Sequence, residues 1–143
     1  MTSGIEMLRD IASGARPNAT MADTLGMEIA EVDDGRVVFE ADPTDKLLNP
    51  AGTVHGGFAA TMLDSAMACA VHSTLPAGDA YSTVDLSVKL LKAITPDVGQ
   101  LRCEGTVVHI GGRVGTAEGR LTGADGTLYA TGTTTCVIIR AGR

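Results

Sequence analysis

One segment, residues 56–75, limits the possible folds of this chain more than any other. It is rich in Ala, Met and Leu, it starts with Gly56 and Gly57, and Pro76 follows it. This pattern predicts an α-helix about 28 Å long. Apolar residues occur on nearly all sides of the helix, and Asp64 breaks the run before it reaches the ~18 residues of a membrane span. We therefore expect a helix that is buried inside the protein.

Two predicted strands precede this helix and four follow it. The first two flank an Asp-Asp-Gly turn at residues 33–35, which is a strong hairpin signal. The later four occupy residues 80–93, 100–110, 113–123 and 127–139. The order β-β-α-β-β-β-β, without alternating βαβ units, predicts an α+β protein whose antiparallel sheet curls around the helix.

The strand predicted at residues 80–93 alternates between apolar and polar side chains. Val84, Leu86, Val88 and Leu90 occupy one face, and Ser, Asp and Lys residues occupy the other. This alternation predicts that one face is buried against the core and that the other lies in water.

The N-terminal segment predicts a short amphipathic helix over residues 4–14, because its apolar residues recur at helical spacing. We expect residues 1–19 to contain this helix and a lead-in. Residues 20–143 are expected to form one domain, since a chain of 143 residues is too short for two domains of typical size.

Composition and charge exclude several classes of protein. The net charge of −6 would repel a phosphate backbone, so nucleic acid is not an expected partner. The three cysteines are widely spaced and no basic and apolar leader precedes them, which predicts reduced thiols and a cytoplasmic location. Neither a G-x-G-x-x-G nor a P-loop pattern occurs, and Cys69 with His72 gives only two ligands, so we expect no cofactor and no metal.

The start of the long helix predicts an anion-stabilising site. The first backbone N–H groups of a helix have no intrahelical partner, and the helix dipole favours negative charge beside them. Gly56 and Gly57 would let a ligand approach these donors closely. A developing oxyanion or a polarised carbonyl suits such a place.

Asp64 lies about two turns further along the helix, among apolar neighbours. Burial of a carboxylate without partners costs several kcal/mol. Asp64 is therefore either hydrogen-bonded, shifted in its pKa or used in a reaction, or it marks a narrow exposed strip of the helix. Gly56 and Asp64 are about 12 Å apart along the axis, too far to act on one atom. If both act together, one of them must come from a second copy in a homodimer.

Asn49 precedes His55-Gly56-Gly57 by six positions, and Asp64 follows His55 by nine. Together with a later Ser-Thr-Val-Asp-Leu-Ser strand, this pattern resembles the hotdog-fold acyl-CoA thioesterases of the phenylacetate-pathway type, which are similar to the 4-hydroxybenzoyl-CoA thioesterases. The resemblance covers roughly residues 20–140. It implies a hotdog fold, an acyl-CoA substrate, homodimers that often pair into tetramers, and composite active sites at the dimer interface.

The resemblance also implies roles for single residues. Asp64 would activate water or attack the thioester carbonyl, and the Gly56 N–H would polarise that carbonyl. Asn49 and His55 would position the thioester, and Ser82 would hold the water or Asp64. The substrate contacts that it implies, or that the position of the residue suggests, are Gly57, Thr83, Lys89, Gly112 and Arg113.

The turn that contains Arg113 departs from the family pattern. This turn often carries two consecutive basic residues in the family, whereas Val114 follows Arg113 here.

Two other functions remain open at this point: a noncatalytic module that binds acyl-CoA, and an enoyl-CoA hydratase. A serine hydrolase is excluded because no G-x-S-x-G motif occurs.

Overall fold

The computed structural model describes residues 1–142 as a six-stranded antiparallel sheet that curves around one long helix. The helices are α1 (Gly4–Ser13), α2 (Thr20–Leu25) and α3 (Gly56–His72), with a short 3-10 turn at Asp45–Leu47. The strands are β1 (Met27–Asp33), β2 (Arg36–Ala41), β3 (Ala80–Leu90), β4 (Leu101–Ile110), β5 (Val114–Gly123) and β6 (Leu128–Ile139). The predicted α+β class and the order of the six strands and long helix are confirmed; α2 was not predicted.

The strand order across the sheet is β1-β2-β4-β5-β6-β3, and all neighbours are antiparallel. The β1–β2 hairpin forms at the predicted turn, with Asp33 paired to Arg36. Strand β3 follows α3 and pairs with β6 alone. The two edges of the sheet are therefore β1 and β3.

Helix α3 is the centre of the core. Met62, Leu63, Ala66 and Met67 are fully buried against the concave face of the sheet. The sheet approaches the helix closely at Gly105, where an added Cβ would overlap the Ala66 carbonyl oxygen. The prediction of a buried helix is confirmed, because apolar residues on nearly every side can be covered only in the interior.

Helix α3 ends at His72, three residues before the predicted end. Ser73 terminates it, since its hydroxyl donates to the Ala70 carbonyl and accepts the Gly35 N–H, both within 2.8 Å. Helix α1 confirms the predicted N-terminal helix: Ser3 caps its start, Gly14 ends it with φ 85°, and Leu8 is buried.

Strand β3 departs from its predicted burial. Val84 is 63% exposed, Leu86 39% and Leu90 58%, so the expected buried apolar face is wrong for the single chain. Val88 alone of the four is half-buried. A bulge at Val84, between Thr83 and Asp85, shifts the alternation, and only β6 flanks this edge strand.

Candidate active site

His55 forms the N-cap of α3 and fixes the geometry of its first turn. Its Nδ1 accepts a hydrogen bond from the Gly57 N–H at 2.8 Å. In a neutral ring the other nitrogen, Nε2, then carries the proton. The expectation that both glycine N–H groups are free is therefore wrong for Gly57. The Gly56 N–H meets no acceptor within residues 1–142 and lies at the positive end of the helix.

Gly56 also leaves little room for a side chain. A Cβ at this position would lie 2.6 Å from Leu90 Cδ1, on exposed strand β3. The absence of a side chain keeps the free N–H accessible from a crevice of about 220 Å³. We call it the Gly56 crevice; Asn49, Leu90, Lys92 and Tyr129 contribute to its lining.

Asn49 folds the loop before α3. Its Oδ1 accepts the backbone N–H groups of Ala51 and Thr53, and its Nδ2 donates to the Thr53 hydroxyl at 2.8 Å. The carbonyl oxygen and one amide proton are thus committed to the loop. Asn49 borders the Gly56 crevice, as predicted from the motif, but within one chain its contacts position the loop.

The Asp64 carboxylate has a direct partner. Its Oδ1 accepts a hydrogen bond from the Thr83 hydroxyl at 2.9 Å, and Asp64 is half-buried. The resemblance implied that Ser82 would hold the water or Asp64. Ser82 is exposed, and because side chains alternate along a strand it lies on the opposite face from Thr83. Within the described chain the hydroxyl that contacts Asp64 is thus that of Thr83, which was expected near the bound substrate.

Asp64 lines a cavity of about 340 Å³ that lies beside α3, which we call the Asp64 cavity. One wall is a face of α3 that carries small side chains, including Ser65, Ala68 and Cys69. Tyr81 and Thr83 of β3 form the side. The roof consists of apolar residues of α1, α2 and the segment between them, including Met7, Leu8, Ile11, Met21 and Ala22.

This cavity was missed by sequence reasoning, which treated residues 1–19 as a helix and a lead-in. The spacing of Ser65, Ala68 and Cys69 at three or four residues was the available signal, since small side chains on one helical face leave space. What covers that face, however, depends on how α1 and α2 pack.

The ionisable groups near Asp64 remain neutral. Burial raises the pKa of the Cys69 thiol to about 12, and the charge of Asp64 adds to the shift. Burial also raises the pKa of Tyr81 and lowers the pKa of His72. Cys69 is thus a poor nucleophile. Among the residues that line the cavity, the carboxylate of Asp64 carries the formal charge.

The basic residues assigned to substrate binding lie far apart. Arg113 lies in the β4–β5 turn, level with Ser82 through the Val114–Val137 and Val137–Ser82 pairs. Lys89 is seven residues further along β3, which is roughly 23 Å. One chain therefore cannot bring Lys89 and Arg113 to a single phosphate.

Hydrogen bonds from Arg140 hold the β4–β5 turn in place. Arg140 donates to the carbonyl oxygens of Gly111 and Gly112 at 2.7 and 3.2 Å. Arg113 is exposed.

Lys92 lines the Gly56 crevice, which brings a cation close to the free N–H of Gly56. Lys92 was not among the predicted substrate contacts.

Two absences apply to the described part of the chain. Residues 1–142 contain no cluster of three or more His, Cys, Asp or Glu side chains placed to hold a metal ion. None of the described helices is both long enough and apolar enough to cross a membrane.

Comparison with known proteins identifies the family to which this fold belongs. Residues 51–130 match the model of the thioesterase superfamily. A protein of Halobacterium salinarum named "Putative esterase" is 38% identical over 99 residues, which cover 66% of this chain and 64% of that protein. The match thus spans less than two thirds of that relative.

Solved structures agree with this match. A phenylacetic acid degradation-related protein from Ralstonia eutropha is 35% identical, with a TM-score of 0.82 over 91% of this chain and 98% of its own. The Escherichia coli PaaI protein, from the phenylacetic acid degradation operon, has the same fold at 23% identity, with a TM-score of 0.83 over 96% of this chain and 97% of its own. This chain therefore belongs to the thioesterase superfamily, as a hotdog-fold protein of the phenylacetate-pathway (PaaI) type.

Proposed function

We propose that this protein hydrolyses acyl-CoA thioesters to CoA and a carboxylic acid, in active sites shared by two copies of the chain. The observation that carries the proposal is the Asp64 carboxylate, which Thr83 holds at 2.9 Å on the wall of an apolar cavity. A carboxylate in that position can act on a carbonyl whose acyl group fills the cavity.

The chemistry needs a charged carboxylate and an oxyanion donor. Asp64 either takes a proton from water, so that hydroxide adds to the thioester carbonyl, or adds to the carbonyl itself. The oxyanion that forms is stabilised by the free Gly56 N–H and the dipole of α3. The C–S bond then breaks, and the CoA thiolate takes up a proton. In the direct route, water finally hydrolyses the acyl-aspartate anhydride.

The distance along α3 supports a shared site. Gly56 and Asp64 are separated by eight residues of one helix, or about 12 Å, so they cannot contact one carbonyl carbon and its oxygen. A second copy that lies antiparallel beside the first would bring its Gly56 to this chain's Asp64. The predicted homodimer thus completes a site that one chain leaves incomplete.

The exposed β3 edge supports the same assembly. It is 11 residues long, and its unpaired backbone groups and exposed Val84, Leu86 and Leu90 favour pairing with another strand. Leu90 also covers Gly56, so pairing at β3 would bring the interface to the Gly56 crevice. Pairing of dimers into a tetramer and the cytoplasmic location stay predictions from the sequence.

The remaining candidate residues take supporting roles. His55 caps α3 and presents its Nε2 proton, and Asn49 shapes the loop that borders Gly56. The pantetheine arm would leave through the Gly56 crevice, where Lys92 offers a cation to the CoA phosphates.

A thiol-release assay tests the proposal. Purified protein is supplied with acetyl-, octanoyl-, palmitoyl- and phenylacetyl-CoA, and free CoA is measured with a thiol reagent. We expect release with at least one ester and its loss in Asp64→Asn. Stoichiometric binding without release would identify a noncatalytic module instead. With an added enoyl-CoA ester, loss of enoyl absorbance without thiol release would identify a hydratase.

A further inference from the structure

The Asp64 cavity has two different ends. Asp64 and Thr83 lie at one end, and His72 lies two helical turns further along α3, about 12 Å away. Between them the wall consists of Ala68 and Cys69, opposite the apolar roof from α1 and α2. A thioester carbonyl held at Asp64 would thus direct its acyl chain toward His72.

The far end carries polar groups that have no partner. The rings of His72 and Tyr81 lie with centroids 4.9 Å apart. Within residues 1–142 neither the imidazole nitrogens nor the phenol oxygen makes a hydrogen bond, although both side chains are half-buried. The polar atoms of both side chains are therefore not committed to a hydrogen bond within the described chain. Both residues line the cavity, so a ligand could supply the missing partner.

We propose that His72 and Tyr81 are specificity-determining residues that recognise a hydroxyl group at the far end of a medium-length acyl chain. This inference rests on the proposed function, because it assigns the acyl group to the Asp64 cavity. A neutral imidazole and a phenol together offer donors and acceptors, which a hydroxyl group can satisfy.

The charge of the cavity excludes an acidic chain end. Burial lowers the pKa of His72 and raises the pKa of Tyr81, so both groups are neutral at pH 7. The charged group that lines the cavity is the Asp64 carboxylate, which would repel a second carboxylate. The described residues that line the cavity include no Lys or Arg to pair with the carboxylate of a dicarboxylic acyl group.

Three CoA esters with eight-carbon acyl chains test the proposal: octanoyl-, 8-hydroxyoctanoyl- and 7-carboxyheptanoyl-CoA. We expect kcat/KM to be about tenfold higher for the hydroxylated ester than for the plain ester, as for one or two neutral hydrogen bonds. The carboxylated ester should be the poorest substrate. Tyr81→Phe and His72→Phe should each reduce the hydroxyl preference by about threefold while keeping the ring in place.

A matched control comes from a second histidine. His109→Phe changes a histidine that lines neither the Asp64 cavity nor the Gly56 crevice, so the hydroxyl preference should persist in this variant. No hydroxyl preference in the wild type, or an unchanged preference in both cavity variants, would overturn the inference.

Binding keeps the inference testable if no ester is hydrolysed. That result would refute the proposed function, and calorimetry with uncleavable thioether analogues of the same three acyl groups would then be decisive. Tightest binding of the hydroxylated analogue, weakened in Tyr81→Phe, supports the recognition by His72 and Tyr81. Equal affinities for all three analogues refute it.

Discussion

The two edges of the sheet differ in how their outer strands are covered. At the β1 edge, α1 and α2 pack against the strand, and ion pairs cross the outer strands, including Arg36 with Glu31 and Glu104. At the β3 edge, Val84, Leu86 and Leu90 are exposed. One edge is thus protected by charge and by the chain itself, whereas the other has the properties of an association surface. The proposed catalytic groups lie beside the second edge.

The largest expected effect is the loss of activity in Asp64→Asn, whereas a matched change at the β1 edge should leave the activity unchanged. Asp64→Asn keeps the shape of the side chain and can still accept from Thr83, but it removes the base. We expect kcat/KM for the best acyl-CoA ester to fall about 10³-fold or more. Asp33→Asn, at the ion-paired edge, is the matched control and should retain wild-type activity. Equal activity of the two variants would remove Asp64 from the mechanism.

The next prediction disrupts the exposed edge. Leu86→Arg places a charge at the centre of the proposed interface, where an unpaired charge is strongly disfavoured. We expect a monomer by light scattering and activity about 10²-fold lower, since the Gly56 donor of the second copy is lost. Glu28→Arg, exposed on β1, should stay dimeric and active. A fully active Leu86→Arg monomer would contradict the shared site.

A smaller effect is expected from the hydroxyl beside Asp64. Thr83→Val removes the 2.9 Å hydrogen bond and keeps the branched shape, so kcat should fall about tenfold, as for a hydrogen bond to a charged group. Thr83→Ser should restore most of the rate, and Ser82→Ala should change it little. If Ser82→Ala were the more damaging change, Ser82 rather than Thr83 would be the hydroxyl that supports the reaction.

The smallest effect concerns acid stability at the β1 edge. Hydrogen bonds from Arg102 and Arg36 lower the pKa of Glu31 below its ordinary value of 4.5. Its contribution to stability is therefore present above that ordinary pKa and is lost as the pH falls through the lower folded value. Glu31→Gln should flatten this part of the curve of unfolding free energy against pH, whereas Glu28→Gln should not. Identical curves for the wild type and Glu31→Gln would show that these ion pairs do not contribute to acid stability.

Local sequence patterns were sufficient to predict α1, α3 and the six strands, but not α2. The apolar segment with its initial glycines predicted α3, and the Asp-Asp-Gly turn predicted the β1–β2 hairpin, because helical spacing and turn chemistry depend on neighbours in sequence. The predicted start of α3 at Gly56 is confirmed, whereas its end was placed three residues too late. Helix ends depend on caps such as Ser73, which gains its second partner, Gly35, from a distant hairpin.

The contacts of the candidate site were predicted less well. The bulge at Val84 accompanies the wrong prediction for the β3 face. Within the described chain Thr83 rather than Ser82 contacts Asp64, because neighbouring side chains of a strand point to opposite faces. Gly57 was predicted to offer a free N–H, but the His55 ring accepts it. These outcomes depend on side-chain directions that a residue pattern does not contain.

The sequence by itself determined that a buried helix carries one carboxylate behind a glycine start, and that six strands surround it. The tertiary structure decided that Thr83 binds that carboxylate, that α1 and α2 close the Asp64 cavity, and that β3 remains an open apolar edge. The physical reason is how far apart in sequence the interacting residues lie. Helix and strand periodicity is encoded between residues a few positions apart, whereas a cavity or an edge exists only where segments distant in sequence meet or fail to meet.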